Sequence, residues 1–168
     1  VLDAEVAEDE VGCKIDWTRR FDLMQHHTGQ HILTQAFVQI AGTNTVGFHL
    51  SDATVTIDLD KIGLSPETLT EVEDLANRIV WENRPVTVEF IDPKKAKGVR
   101  MRGTPEKLLT DGLRVVSVKD FESTGCGGTH VAHTGEIGSI KILKLDKRKN
   151  NTRVEFRCGQ RALQDYRQ

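Results

Sequence analysis

Apolar residues recur every three or four positions from Phe21 to Ile40, through Met24, Ile32, Leu33, Ala36 and Phe37. That is the period of a helix with one buried face. Asp16 or Thr18 can cap its start, and Gly42 and Asn44 stop it. Residues 1–17 read as extended, with Val6, Val11 and Ile15 among polar neighbours. Beyond the helix the period changes to two. Val46–Leu50 and Thr54–Leu59 read as strands, the second with Val55, Ile57 and Leu59 on one face and Thr54, Thr56 and Asp58 on the other. Ser65 followed by Pro66 opens a second helix, whose stripe of Leu69, Val72, Leu75, Ala76, Ile79 and Val80 ends near Asn83 before Pro85. Val86, Val88 and Phe90 alternate in a further strand, and Leu113–Val118 reads as a buried one. Ile137–Leu145 and Thr152–Cys158 form a hairpin around the charged turn Lys147–Asn151, and Ala162–Tyr166 begins a helix. Residues 92–107 contain Pro93, Gly98, Gly103 and Pro105 and read as a short helix followed by a mobile loop, while 123–135 read as a Gly-rich loop. Two long helices mixed with strands, without βαβ alternation, predict an α+β domain with a mainly antiparallel sheet.

A chain of 168 residues accommodates one domain, or one domain with a fragment of another. No apolar run approaches the ~20 residues that span a bilayer, and no signal peptide opens the chain, so no membrane partner is expected. The first residue is Val1 rather than Met, as in a processed or truncated chain, and the first ten residues carry five acids and no base. Cys13, Cys126 and Cys158 are odd in number and widely spaced. They make no disulfide framework and fit a reducing, cytoplasmic setting. Cys13 and Cys158 sit among apolar residues and read as small buried hydrophobes. Only Cys126 has a chemical context.

The net charge is −2, but its distribution is uneven. Lys94, Lys95, Lys97, Arg100, Arg102 and Lys107 outnumber the acids of 92–107. Lys141, Lys144, Lys147, Arg148, Lys149, Arg153 and Arg157 do the same in 141–157. Two such patches could steer a polyanion to one face, or be two solvated loops.

The strongest chemical signal is a pair of segments, His27-Thr28-Gly29-Gln30-His31 and Cys126-Gly127-Gly128-Thr129-His130. Two histidines four apart share a helix face, and here that face points inward with Met24. Gly125, Gly127 and Gly128 let the second segment bring its backbone close to a metal or ligand. Three imidazoles and a thiolate are a donor set for Zn²⁺. A zincin would need Glu at position 28, where Thr28 stands, and an inverted zincin Glu at position 30, where Gln30 stands. Gln can hold a water but cannot take its proton, so the peptidase reading fails at the base. His26 and His133 flank the motifs, either as proton-transfer groups or as surface or supporting residues, and His49 either lines a pocket or fills an edge.

These residues carry a resemblance. The His27–His31 and Cys126–Val131 segments resemble the signature of the alanyl-tRNA synthetase editing domain, and more closely that of the free-standing AlaX-type alanyl-tRNA editing proteins. Trp17–Met24, Thr134–Lys141 and Arg153–Gly159 resemble the flanking elements of that family, so the resemblance covers about residues 16–160. Gln30, where synthetase-embedded domains commonly have Thr, leans toward the free-standing type. The Gln that synthetase versions place on a later strand has no clear counterpart near Thr45–His49. Threonyl-tRNA synthetases share a related fold for removing serine, with a different second motif.

The resemblance implies the editing-domain fold common to threonyl- and alanyl-tRNA synthetases and a zinc-dependent carboxylic ester hydrolase. Its partner would be tRNA(Ala) mischarged with serine or glycine, and its metal ligands His27, His31, Cys126 and His130. It also implies three parts: residues 1–15 as the last strand of a truncated N-terminal β-barrel, 16–158 as the editing domain, and 159–168 as the start of a C-terminal helix or domain. Within that frame Thr28 and Gln30 are placed to hydrogen-bond a water or the substrate, and the backbone N–H groups of Gly127, Gly128 and Thr129 to hold an oxyanion. Lys94, Lys95, Lys97, Arg100 and Arg102, with Lys141, Lys144 and Arg148, would hold phosphates. The alternatives are a zinc-stabilised tRNA-binding module without activity, an enzyme acting on another ester or amide, and editing of seryl-tRNA(Thr). Four protein ligands pose a difficulty, because filled tetrahedral zinc sites are usually structural.

Overall fold

The computed structural model describes residues 12–101 and 112–167. Helix α1 spans Trp17–Ala41, with the Asp16 side chain accepting the Arg19 N–H at its start and Gly42 in the left-handed conformation at its end. Helix α2 spans Pro66–Trp81, opened by Ser65 as cap, and α3 spans Gly159–Tyr166. Among the described residues seven strands follow the order β1 Thr45–Leu50, β2 Val55–Leu59, β3 Val86–Ile91, β4 Leu113–Val118, β5 Glu122–Gly125, β6 Ile140–Lys147 and β7 Thr152–Cys158. They form two antiparallel sheets, one in the order β1-β2-β7-β6 and a smaller one in the order β3-β4-β5. The chain is thus α+β as expected, with its strands divided between two sheets.

The middle of α1 is buried almost all round, from Gln25 to Phe37, so it is a core helix rather than a surface one. Ile32, Leu33, Ala36 and Phe37 meet Val72, Ala76, Ile79 and Val80 of α2 and Ile57, Val154 and Phe156 of the larger sheet in one core. Gly29 permits a close helix-to-sheet approach: a Cβ there would collide with Sγ of Cys158 in β7. A helical glycine costs about 1 kcal/mol relative to alanine, and this contact is its structural reason.

Burial obliges the polar groups of α1 to find partners. His26 is fully buried; its Nδ1 lies 2.8 Å from the Asp22 carbonyl and its Nε2 accepts the Cys158 N–H at 3.0 Å. The ring is therefore a neutral tautomer inside the core, and neither a surface residue nor an exposed proton carrier. Thr56 and Asp58, on the second face of β2, are buried too, because β2 lies between β1 and β7 and Asp58 takes a two-bond ion pair from Arg153 at 2.7 and 2.8 Å.

Other expectations need correction. Cys13 is exposed, not buried, because residues 12–16 join no strand among the described residues; the remainder of the expected strand, residues 1–11, lies outside the described residues. Cys158 is buried, as expected. The loop expected over 123–135 is shorter, since Ser123–Gly125 belong to β5, which pairs with β4 across a tight turn where Asp120 takes a positive φ of 54°. The basic segment opens with a single 3-10 turn, Pro93–Lys95, capped by Asp92. Arg102 and Lys107 lie outside the described residues.

Candidate metal centre

Helix α1 carries His27 and His31 one turn apart, and the segment leaving β5 carries Cys126 and His130. The fold brings the four together: one donor atom from each lies within 4.8 Å of the others, and the set could hold a metal ion. Sγ of Cys126 stands 3.4 Å from Nε2 of His27 and 3.3 Å from Nε2 of His130. His31 is buried; the other three are half-buried, so the cluster opens at a rim where Gly127 and Thr129 are exposed.

Each side of the cluster has its own support. Val131 and Thr134, both buried, anchor the loop after His130. The Val131 N–H donates to the Thr28 hydroxyl at 3.2 Å, and Thr134 bonds to the α2–β3 connection through Ile79 and Arg84. Cys126 is fixed by backbone pairing to Arg114 and by the Arg114 guanidinium on its carbonyl, 2.5 Å away. Gly128 lies against His27 so closely that a Cβ would overlap the imidazole, which makes glycine a requirement there. His27 itself stacks on Phe48 at 5.6 Å.

At Cys126 and His130 the electrostatics favour a metal-binding protonation state, whereas at His31 burial is outweighed by Cys126 and Glu122, which hold its proton. Burial would push the Cys126 thiol up, but hydrogen bonds from His130, His27 and His31, with the Gly128 N–H, bring it down to about 3. Burial, with the neighbouring histidines, lowers His130 to about 4 against the pull of Cys126. A thiolate and a neutral imidazole are the forms that ligate, so a cation binding them has no proton to displace.

The geometry divides the other expected site residues. Thr28 is buried, with its hydroxyl 3.1 Å from Nδ1 of His130, so it supports a ligand. Gln30 is buried and donates to Thr34 at 2.8 Å. The Gly128 N–H points to Cys126 Sγ at 3.4 Å and is committed there, leaving the amides of Gly127 and Thr129 without a partner among the described residues. Arg100 is drawn to Glu122 and Thr124 and is not a free cation. Lys141 and Lys144 are exposed but paired with Glu73 and Asp146, whereas Lys94, Lys95 and Lys97 are exposed and unpaired among the described residues. His133 is half-exposed beside Glu136, and His49 projects from the edge strand β1.

Two contributors were not recognised in the sequence. Glu122 accepts from Nδ1 of His31 at 2.8 Å, and Arg114 holds the Cys126 backbone. The signal for the first was present: in a strand, Glu122, Thr124 and Cys126 share one face.

Residues 113–155, which include Cys126 and His130, match the family described as threonyl and alanyl tRNA synthetase second additional domain. The chain is 37% identical, over 94% of its length, to the alanine–tRNA ligase of Pyrococcus abyssi, of which the match covers 18%. It is 36% identical over 92% of its length to the alanyl-tRNA editing protein Aarsd1-A of Xenopus laevis, covering 38% of that protein. It is 34% identical, again over 92%, to Aarsd1 of Bos taurus, covering 35%. The chain thus spans less than two fifths of each of these relatives. The shared sequence extends across both halves of the metal cluster, so over more than nine tenths of its length the chain is similar to alanyl-tRNA editing proteins and to a segment of alanine–tRNA ligases.

Proposed function

We propose that the chain is a zinc-dependent deacylase that acts in trans, in the cytoplasm, on tRNA(Ala) mischarged with serine or glycine. The observation that carries this reading is the convergence of three imidazoles and a thiolate at an exposed rim, in a chain similar to alanyl-tRNA editing proteins. Zinc bonds of about 2.0–2.1 Å to nitrogen and about 2.3 Å to sulfur set a tetrahedral sulfur and nitrogen roughly 3.5–3.6 Å apart. The Cys126 separations of 3.4 and 3.3 Å come within about 0.3 Å of this. When bound, zinc supplies Lewis-acid polarisation of an ester carbonyl.

The chain's own residues supply the rest. Water adds to the ester carbonyl, the bond to the terminal ribose oxygen breaks, and that oxygen takes a proton, releasing the amino acid and a tRNA with a free hydroxyl. The exposed amides of Gly127 and Thr129 are the donors for the developing oxyanion, a role that removal of a single donor makes visible as a 10²–10³-fold loss on the order of other acyl-transfer sites. Lys94, Lys95 and Lys97 hold tRNA phosphates. Residues 16–158 are the editing unit, and α3 packs against it through Ala162 and an Arg161–Asp22 ion pair.

Incubation of the zinc-loaded protein with radiolabelled seryl-tRNA(Ala) tests the proposal: release of serine well above the spontaneous rate is expected. No release with zinc bound would sink it. A second reading, a zinc-stabilised tRNA-binding module, is favoured by the completeness of the four-donor set, and predicts tRNA binding without release.

A further inference from the structure

Glu122 and His31 are 91 residues apart in sequence and meet in the interior, Oε1 standing 2.8 Å from Nδ1. The Glu122 side chain is only 2% exposed. Sinking a carboxylate this deep costs several kcal/mol unless paired donors satisfy it. Here three do: His31 on one oxygen, Arg100 and the Thr124 hydroxyl (2.8 Å) on the other. An imidazole that gives its Nδ1 proton to a carboxylate has its Nε2 lone pair free and its ring orientation fixed, which is the arrangement of a ligand histidine with a supporting acid.

Strand β5 delivers this acid and the thiolate ligand together, since Glu122, Thr124 and Cys126 alternate on one face. The segment around Arg100 is bound to the same strand by two backbone bonds, Arg100 N–H to the Ser123 carbonyl and Gly125 N–H to the Arg100 carbonyl, each 2.9 Å. Its side chain is three-quarters covered, and Nε is buried without a partner among the described residues. A fork sunk in this way does not present itself to a phosphate.

We infer that Glu122 is the positioning residue that orients His31 for metal binding, with Arg100 as the clamp on Glu122 rather than a contact to tRNA. The inference rests on the zinc site proposed above but not on the substrate. Its test needs no tRNA turnover, so an inactive protein and a misassigned Glu122 give different results.

Zinc affinity is measured by chelator competition on the parent protein and on Glu122→Ala, Glu122→Gln and Arg100→Met, with apo-protein melting as the fold control. Both Glu122 variants should bind zinc about 10–100-fold more weakly, the range for loss of such a supporting group. Cobalt substituted for zinc should show an altered absorption band, because the His31 donor is no longer held in place. Arg100→Met should weaken zinc binding while leaving the salt dependence of binding to uncharged tRNA unchanged. If Glu122→Ala does not fold, the isosteric Glu122→Gln decides. A folded Glu122→Gln with parental zinc affinity and cobalt spectrum overturns the role of Glu122. An Arg100→Met variant with parental zinc affinity and a shallower salt slope returns Arg100 to the tRNA.

Discussion

The backbone N–H of Cys158 donates to Nε2 of His26 across 132 residues of sequence, tying the end of β7 to the middle of α1. His26 is the immediate neighbour of a ligand, yet its ring faces away from the metal cluster into the core. His26→Phe should therefore lower stability by about 1–3 kcal/mol, the cost of leaving a buried backbone group unpaired. Metal stoichiometry should stay at the parent value. Denaturant unfolding and metal analysis on the same preparation check both; loss of metal from a folded variant contradicts the assignment.

Gly29 and Cys158 share one volume of space. Gly29→Ala should cost about 1–3 kcal/mol, as overpacking of a dense core does. Cys158→Ala in the same chain should recover part of that loss. A double-mutant cycle reads the recovery as a coupling of at least about 0.5 kcal/mol; strict additivity means that the two residues do not collide.

The four ligands are unequally supported. His31 has Glu122, His130 has Thr28 and Cys126 has the Gly128 N–H, whereas His27, stacked on Phe48 and packed against Gly128, has no hydrogen bond from outside the cluster among the described residues. His27→Ala should accordingly weaken metal binding less than His31→Ala. Chelator competition ranks them, and the reverse order would remove His27 as the ligand best able to yield a coordination position to substrate.

Asp58 is held below the usual carboxylate range first by its hydrogen bonds from Arg153, with burial opposing. A depressed carboxylate stabilises the fold above its unfolded pKa, about 3.9, and loses that contribution as pH falls through its folded value. The stability gap between the parent and Asp58→Asn should be level from about pH 7 to 5 and shrink below about pH 4. A gap that stays level into that acid range places the stabilisation in packing rather than charge.

Charge reversal of Lys94, Lys95 and Lys97 to Glu should raise KM for mischarged tRNA, more at low salt than at high, with kcat little changed. An unchanged KM takes this segment out of tRNA binding.

The sequence was most informative where structure is local. The period from Phe21 to Ile40 and the Ser65-Pro66 pair mark α1 and α2 to within a residue or two, since caps and helical faces are set by neighbours along the chain. The ligand set was legible because each motif holds two donors four residues apart. Glu122 was legible only in part: the alternation of Glu122, Thr124 and Cys126 sets it on the face of Cys126, but nothing near it in sequence reveals that His31 and Arg100 will surround it. The Arg100–Glu122 pair was hidden for the same reason: counting bases in 92–107 measures charge but not which acid the fold sets beside each one. Thr28 and Gly128 likewise read as free polar groups until the loop after β5 closed over α1.

Two donors come from the helix buried against the larger sheet, and two from the segment that leaves the smaller one. Neither half alone can surround an ion, and a pair of ligands gives it up readily to water or to a competing chelator. An ion held by all four donors would therefore be a record of tertiary assembly. A chain whose smaller sheet has not docked would present only two of the four donors.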